Sequence, residues 1–274
     1  MNISSLKVEP GSAFRLSKCA PDDTHGVSKK HAAKALPEHV EKLAALHDLL
    51  YAEHNRSLLI ILQGMDASGK DGTIKHVMSG VNPQGCSVTS FKEPTMAELD
   101  HDFLWRVHTS VPPKGAIGIF NRSHYEDVLV ARVHNLVEPA VWKRRYVEIN
   151  DFEKILTQNN VRILKFFLHM SSKEQRKRFD ERLSDPRKNW KSSPADFKER
   201  EYWDQYQAAY EAAVTKCNTK DAPWYVIPSD HKWFRNFAVA EVIVKTLESF
   251  RMSYPRGVAA EPGGRRSGGR NQSA

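Results

Sequence analysis

The chain has 274 residues, 40% of them hydrophobic and 27% charged, the make-up of a globular α/β domain with a substantial core, alone or with a mobile subdomain. Its 41 Lys and Arg against 33 Asp and Glu leave a net charge of +8, which favours an anionic partner: nucleic acid, an acidic membrane or a polyphosphorylated small molecule. Three scattered cysteines and histidines without ligand spacing exclude a disulfide frame or a zinc site, and no apolar run approaches membrane-spanning length or a signal peptide. A cytoplasmic protein with no membrane partner is expected.

Residues 1–34 are mixed and polar and read as an arm laid over the domain or partly disordered. Residues 36–54 carry Leu36, Val40, Leu43, Leu46 and Leu50 as a helical stripe. "SLLIILQ" (57–63) reads as a buried strand of a parallel sheet, followed by a helix over 69–80. "SVTSF" (87–91) is a second strand. Thr95 and Glu98 then make a capping box opening a helix over 95–109. "AIGIF" (116–120) is a third strand, helices fit 123–133 and 139–158, and "VRILKFFLHM" (161–170) is a fourth strand. Ser171 and Glu174 cap a helix through about Leu183, "WYVIPS" (224–229) is the fifth strand and 232–250 the last helix. Alternating strands and helices predict a three-layer α/β/α sandwich on a parallel five-stranded sheet. Residues 35–250 form the domain, and the Gly/Arg-rich stretch 251–274 a disordered tail.

The chemistry starts at "GMDASGKDGT", where Gly64, Gly69 and Lys70 satisfy G-x-x-x-x-G-K between a strand and a helix. Backbone N–H groups of Gly64, Ala67, Ser68, Gly69, Gly72 and Thr73 and the helix N-terminus would cradle phosphates, with Lys70 as a point charge. Asp71 stands where a Ser or Thr normally touches Mg²⁺. Asp66, inside the loop, would be repelled by phosphate unless a metal ion or a proton intervened, so it is expected to bind Mg²⁺ or to accept a proton.

The third strand ends in "FNRSHYED". Asn121 is neutral where many phosphate-loop enzymes have an aspartate; Arg122 follows at the ligand edge of the sheet, with Glu126 one turn later. Arg132, on the face shared with Tyr125 and Leu129, would point into the cleft. Between Ser171 and Arg200, ten Lys/Arg face six acids around "DPRKNWKSSP", the layout of a kinase lid over about 171–205, with Arg178 and Arg182 as the phosphate-closing arginines and Arg187 and Lys188 behind them.

These three motifs, "GMDASGKDGTIKHVMSGVNPQG", "FNRSHYEDVLVARVH" and "RFDERLSDPRKNWKSSPAD", resemble the second polyphosphate kinase family over about residues 35–250. The resemblance implies a P-loop kinase-like fold with a helical lid. It also implies a Mg²⁺-dependent enzyme, Mn²⁺ being an alternative ion, that moves phosphoryl groups between inorganic polyphosphate and nucleotides and binds no nucleic acid. Asp66, Lys70, Arg122 and Glu126 would be its catalytic residues, Asp66 and Glu126 its metal ligands, and Asp71, Asn121, Arg178 and Arg182 would line the phosphates. Asn121 with Glu126 is similar to the subgroup that phosphorylates both nucleoside mono- and diphosphates, so AMP would become ADP and then ATP, with guanine nucleotides as further substrates. A homo-oligomer, dimer or tetramer, is expected. The polyanionic donor calls for a positive channel, for which the basic segment from Lys143 to Arg200 would supply a wall, extended by Lys75 and Arg132. Two rivals remain at this level: an ATP-dependent nucleoside monophosphate kinase, and a non-catalytic binder of RNA or another polyanion in which Trp190, Tyr202, Trp203 and Tyr206 stack on bases.

Overall fold

β1 (Ser57–Gln63) is buried along its whole length, as a run of Leu and Ile between covered faces dictates. In the computed structural model, which describes residues 3–191 and 194–255, it is the central strand of a five-stranded, all-parallel sheet. Its companions are β2 (Cys86–Ser90), β3 (Ile117–Asn121), β4 (Val161–His169) and β5 (Trp224–Pro228), in the order β2-β3-β1-β4-β5. Side chains alternate across it. Leu58, Ile60 and Leu62 pack with α1 (Lys29–Glu53), α2 (Lys70–Val77) and α10 (Lys232–Glu248); Leu59 and Ile61 pack with α6 (Pro139–Gln158) and α9 (Trp203–Lys216). The sandwich expected from the sequence is the one observed. From β1 the chain runs outward to β2, and from β3 it crosses to β4 on the other side. The two neighbouring strands therefore send their connections in opposite directions, and a crevice opens at their C-terminal ends.

The remaining helices are α7 (Ser172–Ser184) and four short ones: α3 (Met96–Leu99), α4 (Trp105–His108), α5 (Val130–Val133) and α8 (Pro194–Glu199). The helix expected over 95–109 is two four-residue pieces, because the Asp102 carboxylate accepts the Leu104 N–H and turns the chain between them. Its capping box is present, with Glu98 N–H on Thr95 and Thr95 N–H on Glu98. The stretch 123–133 also divides, into a 3₁₀ turn at His124–Asp127 and then α5. At Ser171 only half of the expected box forms: its hydroxyl takes the Glu174 N–H, while its own N–H goes to Asp230.

The first helix starts at Lys29, seven residues before the expected boundary, with the Ser28 hydroxyl capping His31 N–H. Pro37 lies inside it, and burial of Ala32 and Ala35 against the same cluster as α10 offsets the hydrogen bond that proline cannot donate. The preceding arm is laid over the domain. Lys7 bridges Tyr225, Val8 N–H donates to the Trp224 carbonyl at 2.9 Å, and Leu6, Val8, Phe14 and Leu16 are buried. It thereby covers the free edge of β5, which would otherwise present unpaired backbone groups. Of the expected tail, residues 256–274 lie outside the described residues.

If the arm is part of the fold, Leu6→Ala, at a side chain only 2% exposed, costs about 2 to 5 kcal/mol in urea denaturation; a loose arm would leave the midpoint in place.

Candidate active site

Gly64 follows β1 at φ +151°, and a Cβ there would lie 2.8 Å from both the Leu168 carbonyl oxygen and Ser68 Oγ. The chain can turn this tightly into the loop only as glycine. Gly69, at φ +104°, caps the start of α2, where a Cβ would sit 1.8 Å from Arg235 Nη1. Between them the loop carbonyls are tied outward. Gln175 donates to Asp66 O at 2.9 Å, Arg178 Nη1 to Ala67 O at 2.9 Å and Ser68 O at 3.1 Å, and Arg235 Nη1 to Ser68 O at 3.0 Å. The Ser68 N–H donates within the loop to Met65 O at 3.0 Å. Of the peptides held by their carbonyls it is therefore those of Ala67 and Gly69 whose N–H groups, pointing opposite to the tied oxygens, suit an anion.

Lys70 is buried and donates to Gly64 O at 2.6 Å and to Met65 O at 3.4 Å. Burial, helped by the Arg122 charge, pulls its pKa down to about 8. Arg235 is lowered to about 9, by burial and then by Arg178. Two buried cations thus flank the loop with part of their charge unpaid by any neighbouring carboxylate.

Asp66, Arg122 and Glu126, separated by 60 residues of sequence, form one cluster. Arg122 Nη2 donates to Asp66 Oδ1 at 2.7 Å and Nη1 to Glu126 Oε2 at 3.4 Å. Arg122 has φ +64°, an uncommon conformation for a bulky residue and a local strain that surrounding structure must hold in place. Burial alone would lower its pKa, but Glu126 and Asp66 keep it above its ordinary value. Asn121 donates to Asp71 Oδ1 at 2.8 Å, so a neutral amide steadies the carboxylate that replaces the usual Ser or Thr.

The Asp66–Arg122 pair forms the common wall of two cavities. The larger, ≈ 1120 Å³, is lined by the loop and by Lys92, Arg182, Arg187, Lys188, Lys232 and Arg235. Trp190 stands at its rim, 75% exposed. The smaller, ≈ 240 Å³, has Gly64, Glu126, His134, Glu199, Tyr206 and Tyr210 on its walls. A hydrogen-bonded trio closes that side: His134 Nε2 lies 2.8 Å from Glu199 Oε1, and the Tyr206 hydroxyl donates to the same carboxylate.

The sequence-selected residues are distributed as follows. Ala67, Gly69, Asp71, Gly72, Asn121 and Arg182 line the large cavity. Ser68 and Thr73 are buried beneath the loop surface. Arg178 touches the large cavity, but all of its nitrogens are engaged: Nε with Glu174, and the two Nη with carbonyls of Ala67, Ser68, Ser229 and Asp230. It braces the loop. Arg132, expected in the cleft, instead lies with its guanidinium 4.7 Å over the Trp142 ring and lines neither cavity. The helix begins only at Val130, after the 3₁₀ turn, so the face calculated for a continuous 123–133 helix does not exist. Lys143 is likewise drawn onto Trp142. Arg235, Lys232 and Gln175 were missed. The signal for the first two was "SDHKWFRN" directly after β5, at the same sheet edge that directed attention to Arg122.

Among the described residues no group of three or more His, Cys, Asp or Glu side chains is arranged to hold a metal ion. Asp66 and Glu126 offer two hard carboxylates on either side of Arg122. That set fits a Mg²⁺-like ion that takes one or two protein carboxylates and completes its shell with water and substrate phosphates.

Two outcomes follow. The affinity for tripolyphosphate, measured by calorimetry, falls as pH rises through about 8, where free Lys70 loses the proton that a bound anion stabilises; Lys70→Met removes this limb. Gly69→Ala, forced to φ +104° against Arg235, lowers stability by about 1 to 3 kcal/mol in urea denaturation.

With this geometry in place, four likenesses bear on the chain. The sequence model of the polyphosphate kinase 2 family matches residues 26–254. An AMP/ADP-polyphosphate phosphotransferase of Meiothermus ruber is 51% identical over 256 residues, 93% of this chain and 96% of that protein. An ADP-polyphosphate phosphotransferase of Rhodopseudomonas palustris is 50% identical over 240 residues, 83% of each chain. The crystal structure of polyphosphate kinase 2 from Arthrobacter aurescens superimposes with a TM-score of 0.89 at 42% identity, covering 92% of this chain and 91% of the other. Motifs, fold and whole-chain likeness agree, and the chain belongs to the polyphosphate kinase 2 family.

Proposed function

We propose that this protein transfers the terminal phosphoryl group of inorganic polyphosphate to nucleoside mono- and diphosphates, converting AMP to ADP and ADP to ATP. The observation that carries the reading is the Asp66–Arg122 wall, with a cationic cleft on one side and a small cavity lined by tyrosines, His134 and acids on the other. A long inorganic polyanion needs dispersed positive charge and no base-specific contacts, which the large cleft offers. A nucleotide needs a more enclosed site with flat apolar walls, and Tyr206 and Tyr210 supply these. At ≈ 240 Å³ the small cavity falls short of the roughly 300 Å³ of small-molecule sites. So α8, which brings Asp196 and Glu199 to its wall, would part from the domain to admit a nucleotide, while α7 stays tied to the loop through Arg178. That is the behaviour of a lid.

In this reading Lys70 and the loop N–H groups neutralise the donor's terminal phosphates. Arg122 reaches the phosphoryl group in flight, between donor and acceptor, while Arg182 and Lys188 follow the chain behind it. An acceptor phosphate oxygen forms the new P–O bond as the bridging P–O bond of the polyphosphate breaks. The shortened chain leaves with the electron pair, and no proton need move, because the acceptor phosphate is already largely ionised near neutrality, with a second pKa of about 6. Catalysis then comes from in-line placement and charge neutralisation. Mg²⁺, or Mn²⁺ in its place, would be held by Asp66 and Glu126 with phosphate oxygens, supplying charge to the transferring group. Three free cysteines suit a reducing cytoplasm, and a dimeric or tetrameric assembly belongs to the same reading.

A donor and acceptor matrix tests it: polyphosphate or ATP as donor, against AMP, ADP, GMP and GDP, with Mg²⁺. Polyphosphate is expected to serve as donor to AMP and ADP alike; turnover with ATP as the sole effective donor would make the protein a nucleoside monophosphate kinase. Lys70→Met is expected to reduce kcat by about 10² to 10³-fold with the circular dichroism spectrum unchanged. Salt-sensitive RNA binding that survives this substitution, without turnover, would leave only a polyanion binder.

A further inference from the structure

β4 reads Val-Arg-Ile-Leu-Lys-Phe-Phe-Leu-His, and its fifth residue, Lys165, is fully buried at the centre of the sheet, beside Ile61 of β1 and Trp224 of β5. A lysine there bears a large desolvation cost unless it is paired and hydrogen-bonded. It is both. Its Nζ donates to Glu153 Oε2 and to Cys217 O at 2.5 Å each, and to the Tyr125 hydroxyl at 3.0 Å. Glu153, on α6, is 1% exposed and also accepts the Tyr125 hydroxyl at 2.8 Å; His124 Nε2 lies 3.4 Å from the same oxygen. Burial alone would raise the Glu153 carboxyl, but Lys165 and His124 hold it below its ordinary value. None of these four residues lines either cavity of the site.

Their place in the chain gives them a purpose. His124 and Tyr125 lie between Arg122 and Glu126, in the 3₁₀ turn that starts from the strained Arg122 backbone. The turn is packed into the core, with Tyr125 edge-on to Trp224 and His124 edge-on to Phe152, and further directed polar contacts grip it. Gln63, the last residue of β1, donates to Ser123 Oγ at 3.2 Å, and Ser123 Oγ accepts the Tyr125 N–H. Arg145, on α6, donates to the Asp127 carbonyl at 3.0 Å and pairs with its carboxylate. Apolar packing alone would bury Tyr125 without fixing the rotation of the turn. Hydrogen bonds with fixed directions do fix it, and a residue in a disfavoured backbone conformation persists only where its surroundings over-determine it.

We propose that Lys165, Glu153 and Tyr125 form a positioning network that holds the Arg122–Glu126 turn in its reactive placement, and so governs turnover from behind the sheet. The proposal rests on the reading of Arg122 and Glu126 as residues that meet the reacting phosphates. It separates two quantities that a merely structural ion pair would join. Replacing both charges of a buried pair with apolar groups of similar volume is often neutral for stability, whereas removing one leaves an uncompensated charge.

The test uses the full-length chain. Lys165→Met/Glu153→Leu is expected to fold and to melt closer to the parent than either single variant. Its kcat with polyphosphate and ADP should fall about ten- to a hundredfold, the loss that a displacement of roughly 1 Å produces, while KM for polyphosphate stays within about twofold. Hydrogen exchange should quicken at the amides of 122–127 and remain unchanged in β1 and β4. Tyr125→Phe, which removes one hydroxyl and keeps the packing, should show the same pattern to a smaller degree, and it decides the matter should the double variant fail to fold. Parent-like kcat or unchanged local exchange in a folded variant overturns the proposal. Arg122→Ala and Glu126→Gln serve as references: if these retain full turnover, it is the assignment of the reacting residues that fails and not the network.

Discussion

Arg122 is held between Asp66 and Glu126, and most of the site can be understood as the means of keeping it there. Two carboxylates beside a phosphate-binding loop would repel any anionic substrate. One guanidinium between them cancels much of that field and, in the function proposed, would still offer donors to a phosphoryl group. The arrangement is conditional, because Arg122 reaches Asp66 only from a left-handed backbone conformation at the end of β3. The strain is local, and the constraint comes from β1, α6 and β4 together.

The loop is built by the same logic. Its glycines permit the turn, but what shapes it is the set of long polar side chains arriving from α7 and α10 to take its carbonyls. Arg178 and Arg235 are costly to bury, and each recovers part of that cost through hydrogen bonds to backbone oxygens. Their charge then acts on the cleft without their side chains having to reach into it. Lys70, lowered toward neutrality by the same desolvation, becomes more strongly basic as soon as an anion arrives. Binding of phosphate and charging of the site are therefore coupled.

Charge is also distributed by layer. The basic residues of the large cleft come from the chain just after β2 and β3, from the starts of α2 and α10, from α7 and from the connection after it. The acids and aromatics of the small cavity come from the opposite side of the Arg122 turn and from α8 and α9. Tyr206 and Tyr210 are buried parts of the core and walls of the cavity at once. The fold thus separates a basic cleft from a smaller cavity of acids and aromatics, with Asp66 and Arg122 at their border.

What the sequence determined by itself was whatever depends on near neighbours: five strands, four of them buried and β2 an exposed edge, the glycine loop between β1 and α2, the capping residues, and Asp66, Arg122 and Glu126 as members of two short motifs. These rest on backbone sterics and on hydrophobic period, which act over a few residues, and so they can be read in one dimension. Tertiary structure decided the rest. Arg132 and Lys143 went to Trp142, Arg178 was spent on bracing the loop, and Arg235 entered the site from the last helix. The lysine in the middle of β4 found its partners on α6 and beside Arg122. A long cationic side chain reaches several ångströms in any direction, and its energy depends on what has been desolvated around it. Its role is set only when the layers close.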